Sequence, residues 1–142
     1  MTVGAILKSK GHEIISIDAD AYLSDAVALL AEKRIGALPV LEESKVVGVF
    51  SERDVIYCLA SAGPEATGKP VREVMTSPAV SVDSHCPVLT ALSLMTRRRI
   101  RHLPVVDADG ISGIVSIGDL VKYRIERIES EASALRDYIR TA

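Results

Sequence analysis

Apolar and polar positions along the chain follow two rhythms, and both recur in the same order in each half. Leu23, Ala26, Val27, Leu29 and Leu30 fall three or four apart, which predicts one face of a helix from about Tyr22 to Arg34. Val88, Leu92 and Met95 repeat that spacing, with Pro87 expected at the first helical position, where no amide hydrogen is needed. Short apolar runs follow each helix. Ala37–Leu41 and Val46–Phe50 read as strands around an ESK turn, and His102–Val106 and Ile111–Val115 read as strands around ADG. Shorter strands are expected upstream at Ile14–Ile17 and Ala79–Val82, and short helical turns before them at Val3–Lys8 and Val71–Thr76. A further helix begins after Ser51 and after Ser116. Each half therefore predicts a β-α-β-β-α unit, and the fold class is α/β (α+β).

The rhythms coincide because the sequence repeats itself. IGALPVLEESKVVGVFSERDVI from Ile35 matches IRHLPVVDADGISGIVSIGDLV from Ile100 at a shift of 65 without a gap. Over residues 17–56 against 82–121, 11 of 40 positions are identical, and most others exchange like for like. Neither copy buries all its apolar faces alone, so the two are expected to pack together. The expected division is a first repeat over 1–62, a linker over 63–70, a second repeat over 71–127 and a helical extension over 128–142.

Composition narrows the possible functions. Seventeen Lys and Arg against nineteen Asp and Glu leave a net charge of −2, which speaks against a polyanion-binding surface. Four Tyr, one Phe and no Trp leave little with which to stack nucleic-acid bases. The N-terminal residues MTVGAILKSKGHE do not read as a signal peptide, and no apolar run is long enough for a membrane span. A cytoplasmic location without membrane contact is expected. Cys58 and Cys86 form no C-x-x-C pair and read as small buried hydrophobes. The three histidines lack metal-ligand spacing, and no nucleophile–base pair or G-x-G-x-x-G loop occurs, so neither a metal nor catalysis is expected.

The sharpest motif is G-x-x-S-x-x-D at a strand-to-helix turn. It occurs as Gly48-Val-Phe-Ser51-Glu-Arg-Asp54 and as Gly113-Ile-Val-Ser116-Ile-Gly-Asp119. Serine followed three residues later by Asp is most often a helix cap and its reciprocal partner. The same geometry also suits a nucleotide. A helix N-terminus presents free amides to phosphate, and a carboxylate one turn in accepts the hydroxyls of a ribose.

The paired LPV strands, the paired G-x-x-S-x-x-D turns and the 65-residue repeat together resemble the cystathionine-β-synthase (CBS) domain pair, or Bateman module, over about residues 3–125. The resemblance implies two units packed through their sheets with pseudo-twofold symmetry, and two clefts that take adenosyl ligands. It implies that Asp54 and Asp119 hold ribose hydroxyls and that Ser51 and Ser116 contact ribose or phosphate. Ala37 and His102, with Ile15 and Val80, would frame the adenine. The S-E-R-D form of the first motif is similar to that of small free-standing bacterial pairs, which favours NAD or AMP, with ATP possible, over S-adenosylmethionine.

The two copies differ in their charges. Arg53 is placed to clamp a phosphate, or to stand solvated at its helix start. The second copy carries Arg97, Arg98, Arg99 and Arg101 ahead of His102. Arg101 and His102 are expected to meet phosphates, with Arg97 and Arg98 in solvent. Nucleic acid is a poor partner for this run, which has no adjacent aromatics. His12, behind Lys8, Lys10 and Gly11, reads as a surface loop that alternatively lines a phosphate entrance. Beyond Ser116 the helical pattern continues to about Arg140, with Val121, Ile125, Ile128, Ala132, Leu135 and Ile139 spaced as a heptad seam. A homodimer is expected from it. The sequence thus points to a regulatory pair that senses an adenine nucleotide for an effector protein. The alternative is a dimeric interaction scaffold that binds no nucleotide.

Overall fold

A computed structural model describes residues 1–11 and 13–141. The order of elements is α1 (Val3–Lys10), β1 (Ile17–Asp18), α2 (Leu23–Lys33), β2 (Ala37–Glu42), β3 (Lys45–Ser51), α3 (Glu52–Ala62), α4 (Val71–Val74), α5 (Val88–Arg98), β4 (His102–Asp107), β5 (Gly110–Ser116) and α6 (Ile117–Thr141). β2 and β3 form an antiparallel hairpin, with β1 parallel to β2 on its other side. β4 and β5 repeat the hairpin, and Val82 alone bridges Val105 in the place that β1 takes in the first unit. The expected strands at 14–17 and 79–82 are therefore shorter than their apolar runs. Ile15 and Val80 line clefts instead of extending the ladder. Pro87 has extended ψ, 144°, so it caps α5 and the helix proper starts at Val88.

Two hydrophobic cores follow from the repeat, but the chain is divided between them in an unexpected way. The first core joins Leu23, Ala26 and Leu30 of α2 to Leu38, Val40 and Phe50 of the sheet, and it is closed by Val71 of α4. The second joins Val88, Ala91 and Met95 to Leu103, Val105 and Val115, and it is closed by Val3, Ile6 and Leu7 of α1. Each leading helix thus packs on the other repeat. Backbone hydrogen bonds fix the exchange symmetrically. The Val71 and Arg72 amides donate to Ala21 and Ala19, and the Val3 and Gly4 amides donate to Cys86 and Ser84. The segment expected as a linker is also structured. Gly63–Gly68 winds into a 3₁₀ turn, and Ala66, small enough to fit, is fully buried in the first core.

The motif glycines mark where the exchanged segments cross. An added Cβ on Gly48 would lie 2.8 Å from the Thr76 carbonyl oxygen, and one on Gly113 would lie 2.8 Å from Leu7 Cδ2. At the first crossing, Val49 and Thr76 exchange amide–carbonyl bonds of 3.0 and 2.9 Å, which ties the residues after α4 to β3.

Candidate functional site

Two clefts open between the units, and each takes its serine from one repeat and its opposite wall from the other. The first has a volume of about 690 Å³ and joins Ser51, Arg53 and Asp54 to Val80, Arg101 and His102. The second, about 420 Å³, joins Ser116 to Ile15 and Ala37. The helices α2 and α5 end at Arg34 and Arg99, both in the left-handed region at φ 54° and 55°, and this turn swings each following segment into a cleft.

Asp54 is the one charged residue buried in the core regions of the described chain. Its Oδ2 accepts the Ser51 amide at 2.9 Å and the Ser51 hydroxyl at 3.3 Å, and its Oδ1 accepts the Thr76 hydroxyl at 3.0 Å. A carboxylate offers about four acceptor positions, so Oδ1 retains capacity for a further hydroxyl donor. The cap and the site are therefore one arrangement.

The second acid is engaged differently. Asp119 Oδ2 accepts the Ser116 amide at 2.9 Å and the Lys10 ammonium at 2.8 Å, and Lys10 also donates to the Ile114 carbonyl. Burial alone would raise the Asp119 carboxyl. The bond and charge of Lys10, with the Ser116 amide and hydroxyl, outweigh it and hold the group below the usual carboxylate range. Asp119 is absent from the wall of the second cleft, while Lys10 lines it.

Arginines gather at the far side of the first cleft. Arg98 and Arg99 line it beside Arg101; Arg98, expected in solvent, is exposed at this edge of the cleft. Arg97 is not among the lining residues. Arg53 Nη1 donates to the Arg99 carbonyl at 3.0 Å, tying the two repeats together across the cleft mouth. His102 borders both clefts, and its ring lies 3.3 Å from where a Cβ on Gly36 would stand. Burial first, then Lys10 and Arg101, push its pKa down against Glu52 and Asp119. A neutral imidazole can still donate one N–H to a phosphate oxygen, the contact expected of His102. His12 lies outside the described residues.

Sequence reasoning missed Thr76, Ile56, Tyr57 and Ile100 in the first cleft, and it did not assign Lys10 to Asp119. Thr76 read only as the end of a short helical turn. Its one available signal was a hydroxyl at the end of the leading turn of the second repeat, two residues before Pro78. Among the described residues no group of His, Cys, Asp or Glu is placed to hold a metal, and no helix is long and apolar enough to cross a membrane. Cys58 and Cys86, expected as buried, are half-buried at the edges of the two cores; partial burial, followed by Asp54 for Cys58 and Asp83 for Cys86, raises both thiols.

A family model described as the CBS domain matches the chain twice, over residues 3–61 and 71–126. The chain belongs to the CBS domain family. The CBS domain-containing protein YhcV of Bacillus subtilis is 31% identical over 123 residues, covering 87% of this chain and 86% of that protein. The crystal structure of the CBS-domain containing protein ATU1752 from Agrobacterium tumefaciens matches at a TM-score of 0.83 and 31% identity, covering 87% of this CBS pair and 99% of that chain. The CBS domain pair of protein MJ0100, solved with 5′-methylthioadenosine and S-adenosyl-L-methionine, matches at 0.79 and 25% identity, covering 89% and 98%. The fold expected from the repeat is the fold found: two tandem units packed together, as in these CBS pairs.

Proposed function

We propose that this CBS pair is a regulatory module that binds an adenine nucleotide, AMP or NAD before ATP, in its first cleft and signals to an effector protein in the cytoplasm as a homodimer. The arrangement of Asp54 carries this reading. A buried carboxylate, already holding Ser51 and Thr76, stands on one side of a 690 Å³ cleft whose opposite wall bears Arg98, Arg99 and Arg101. The cleft thus offers an acceptor for a sugar diol, cations for phosphate, and aliphatic Val80, Ile56 and Ile100 in its lining for the adenine. The solved relative MJ0100 was crystallised with adenosine ligands that carry no phosphate. The arginines are the reason to expect a phosphate-bearing ligand here, because they match the oxygens of a phosphate chain, whereas S-adenosylmethionine offers them one carboxylate beside a cationic sulfonium and 5′-methylthioadenosine offers no anion. Binding shifts the relative orientation of the two units only as far as the ligand prefers one orientation over the other.

Titration calorimetry with AMP, ATP, NAD, NADH and S-adenosylmethionine tests the reading. Saturable binding of a phosphate-bearing ligand, weakened about tenfold or more by Asp54→Ala, is the expected result. Absence of heat from all five up to millimolar concentration overturns it.

A second reading is an interaction scaffold with unused clefts. The Lys10–Asp119 ion pair favours it at the second cleft, where the acid already has a cation. Absorbance at 260 nm released on denaturing the purified protein separates the two readings.

A further inference from the structure

Helix α6 outgrows the domain that starts it. Leu120 is fully buried in the second core, but every residue from Ile125 to Thr141 is exposed. That stretch is about 25 Å long at 1.5 Å per residue. It is not evenly polar. Val121, Ile125, Ile128, Leu135 and Ile139 are 42–64% exposed and form a single stripe with Ala132. A free helix of this length is marginal in water, and packing of its apolar face is what would stabilise it.

The residues beside the stripe indicate what covers it. With Ile125, Ala132 and Ile139 at position a of a heptad and Val121, Ile128 and Leu135 at d, the flanking e positions are Lys122, Glu129 and Arg136, and the g positions are Arg124, Glu131 and Tyr138. When two such helices run parallel and in register, each g residue faces the e residue of the next heptad on its neighbour. Arg124 then meets Glu129 of the second copy, and Glu131 meets its Arg136. Symmetry doubles both pairs. Glu131 also receives Arg127 of its own helix, through Oε1 only. An antiparallel pairing with the same overlap sets Lys122 against Arg136 and brings Glu129 and Glu131 each against its own copy. The flanks are complementary to themselves in one orientation and repulsive in the other.

We propose that α6 forms a parallel, in-register, two-stranded coiled coil with a second copy of this chain. This rests on the homodimer of the preceding section but not on its ligand. Ile139 at a with Leu135 at d suits two strands, and Ala132 at a lets two helices approach closely; Ile128 at d pulls toward more strands, so the measured mass is the deciding observation.

The full-length protein and point variants test it by light scattering. Ile128, Glu129, Leu135 and Ile139 are exposed in the single chain and Arg124 is half-buried, so circular dichroism is expected to show intact folding in every variant. The wild type has twice the chain mass, and Ile128→Glu with Leu135→Glu gives single chains. Ile139→Cys yields a cross-linked dimer on mild oxidation, which the wild type with Cys58 and Cys86 does not. Arg124→Glu weakens the dimer about tenfold, and adding Glu129→Arg restores it. A wild type of one chain overturns the proposal and assigns the seam to another molecule. A mass of three or more chains, or a dimer that survives Ile128→Glu with Leu135→Glu, also overturns it. A dimer that those changes abolish but that Ile139→Cys does not cross-link refutes the parallel orientation alone. Nucleotide calorimetry on the single-chain variant separates failure here from failure of the sensor reading.

Discussion

Gly48 and Gly113 hold the same place in the two repeats, yet replacing each with alanine is expected to have unequal consequences. Neither has a positive φ, so an alanine fits the backbone at both, and the gain from a stiffer unfolded chain is common to the two, about 0.5–1 kcal/mol. The difference lies in what the new methyl meets. At Gly48 it would stand 2.6 Å from Met75 Sδ and 2.8 Å from the Thr76 carbonyl oxygen. The sulfur can swing away, but the carbonyl is held by the Val49 amide at 3.0 Å and cannot retreat without breaking the bridge to β3. At Gly113 the methyl meets only Leu7, with Cδ2 at 2.8 Å and Cδ1 at 3.3 Å, the far end of a side chain that can turn. Overpacking costs about 1–3 kcal/mol, and the rigid contact belongs at the upper end and the yielding one at the lower. After the common gain, Gly48→Ala is expected to lose about 1–2 kcal/mol and Gly113→Ala close to none. In a chain of this size that is a fall in Tm of roughly 3–6 °C for the first and under about 2 °C for the second. Scanning calorimetry on both variants decides it. A Gly113→Ala loss equal to or larger than that of Gly48→Ala would refute the argument that a fixed carbonyl, and not crowding as such, demands the glycine.

The remaining expectations concern the exchanged helix and the two clefts. Ile6→Ala removes a buried side chain of α1 and is expected to cost about 2–5 kcal/mol, with hydrogen exchange rising first in α5, β4 and β5 although the change lies at the other end of the chain. Equal loss of protection in both units counts against the exchange as the limiting contact. Because the Asp119 carboxyl is held below its ordinary value, the stability it adds is present above about pH 4 and is lost as pH falls through the lower folded value. Lys10→Met should move the Asp119 titration midpoint upward in carboxyl-carbon NMR, and an unmoved midpoint rejects the pair. His102 also has a depressed folded value, so the unfolded chain takes up its proton first. Stability is full above about pH 6.5 and falls as pH drops toward the folded midpoint. His102→Gln should flatten that fall in urea titrations between neutral and mildly acid pH, and an unchanged slope removes His102 as its source.

Much of this architecture was legible because the chain states its pattern twice. The α2 stripe, both LPV hairpins and both strand-to-helix turns lie within a residue or two of where periodicity placed them, since an amphipathic period and a turn are local properties. The exchange of α1 and α4 was not legible. Val3 and Val71 carry the same short apolar pattern, and nothing within either segment says which sheet it covers. That choice is made by chain reach and by the amide bonds to residues 84–86 and 19–21. The site was read by half for the same reason. Ser51 and Asp54 announce themselves by spacing, whereas Thr76 and Lys10 reach the acids only through the exchanged segments.

The exchange also sets an order of events during synthesis. The first core needs nothing beyond α4, so it can close once about half of the chain has left the ribosome. The second needs both ends. Its leading helix is made before every other part of that core, and it must wait for the hairpin and Leu120 more than a hundred residues later. At about 5–20 residues per second that delay is on the order of ten seconds. Throughout it, Val3, Ile6 and Leu7 are an exposed apolar patch beside an already folded unit, and a chaperone or a fused N-terminal tag would meet the nascent chain there first.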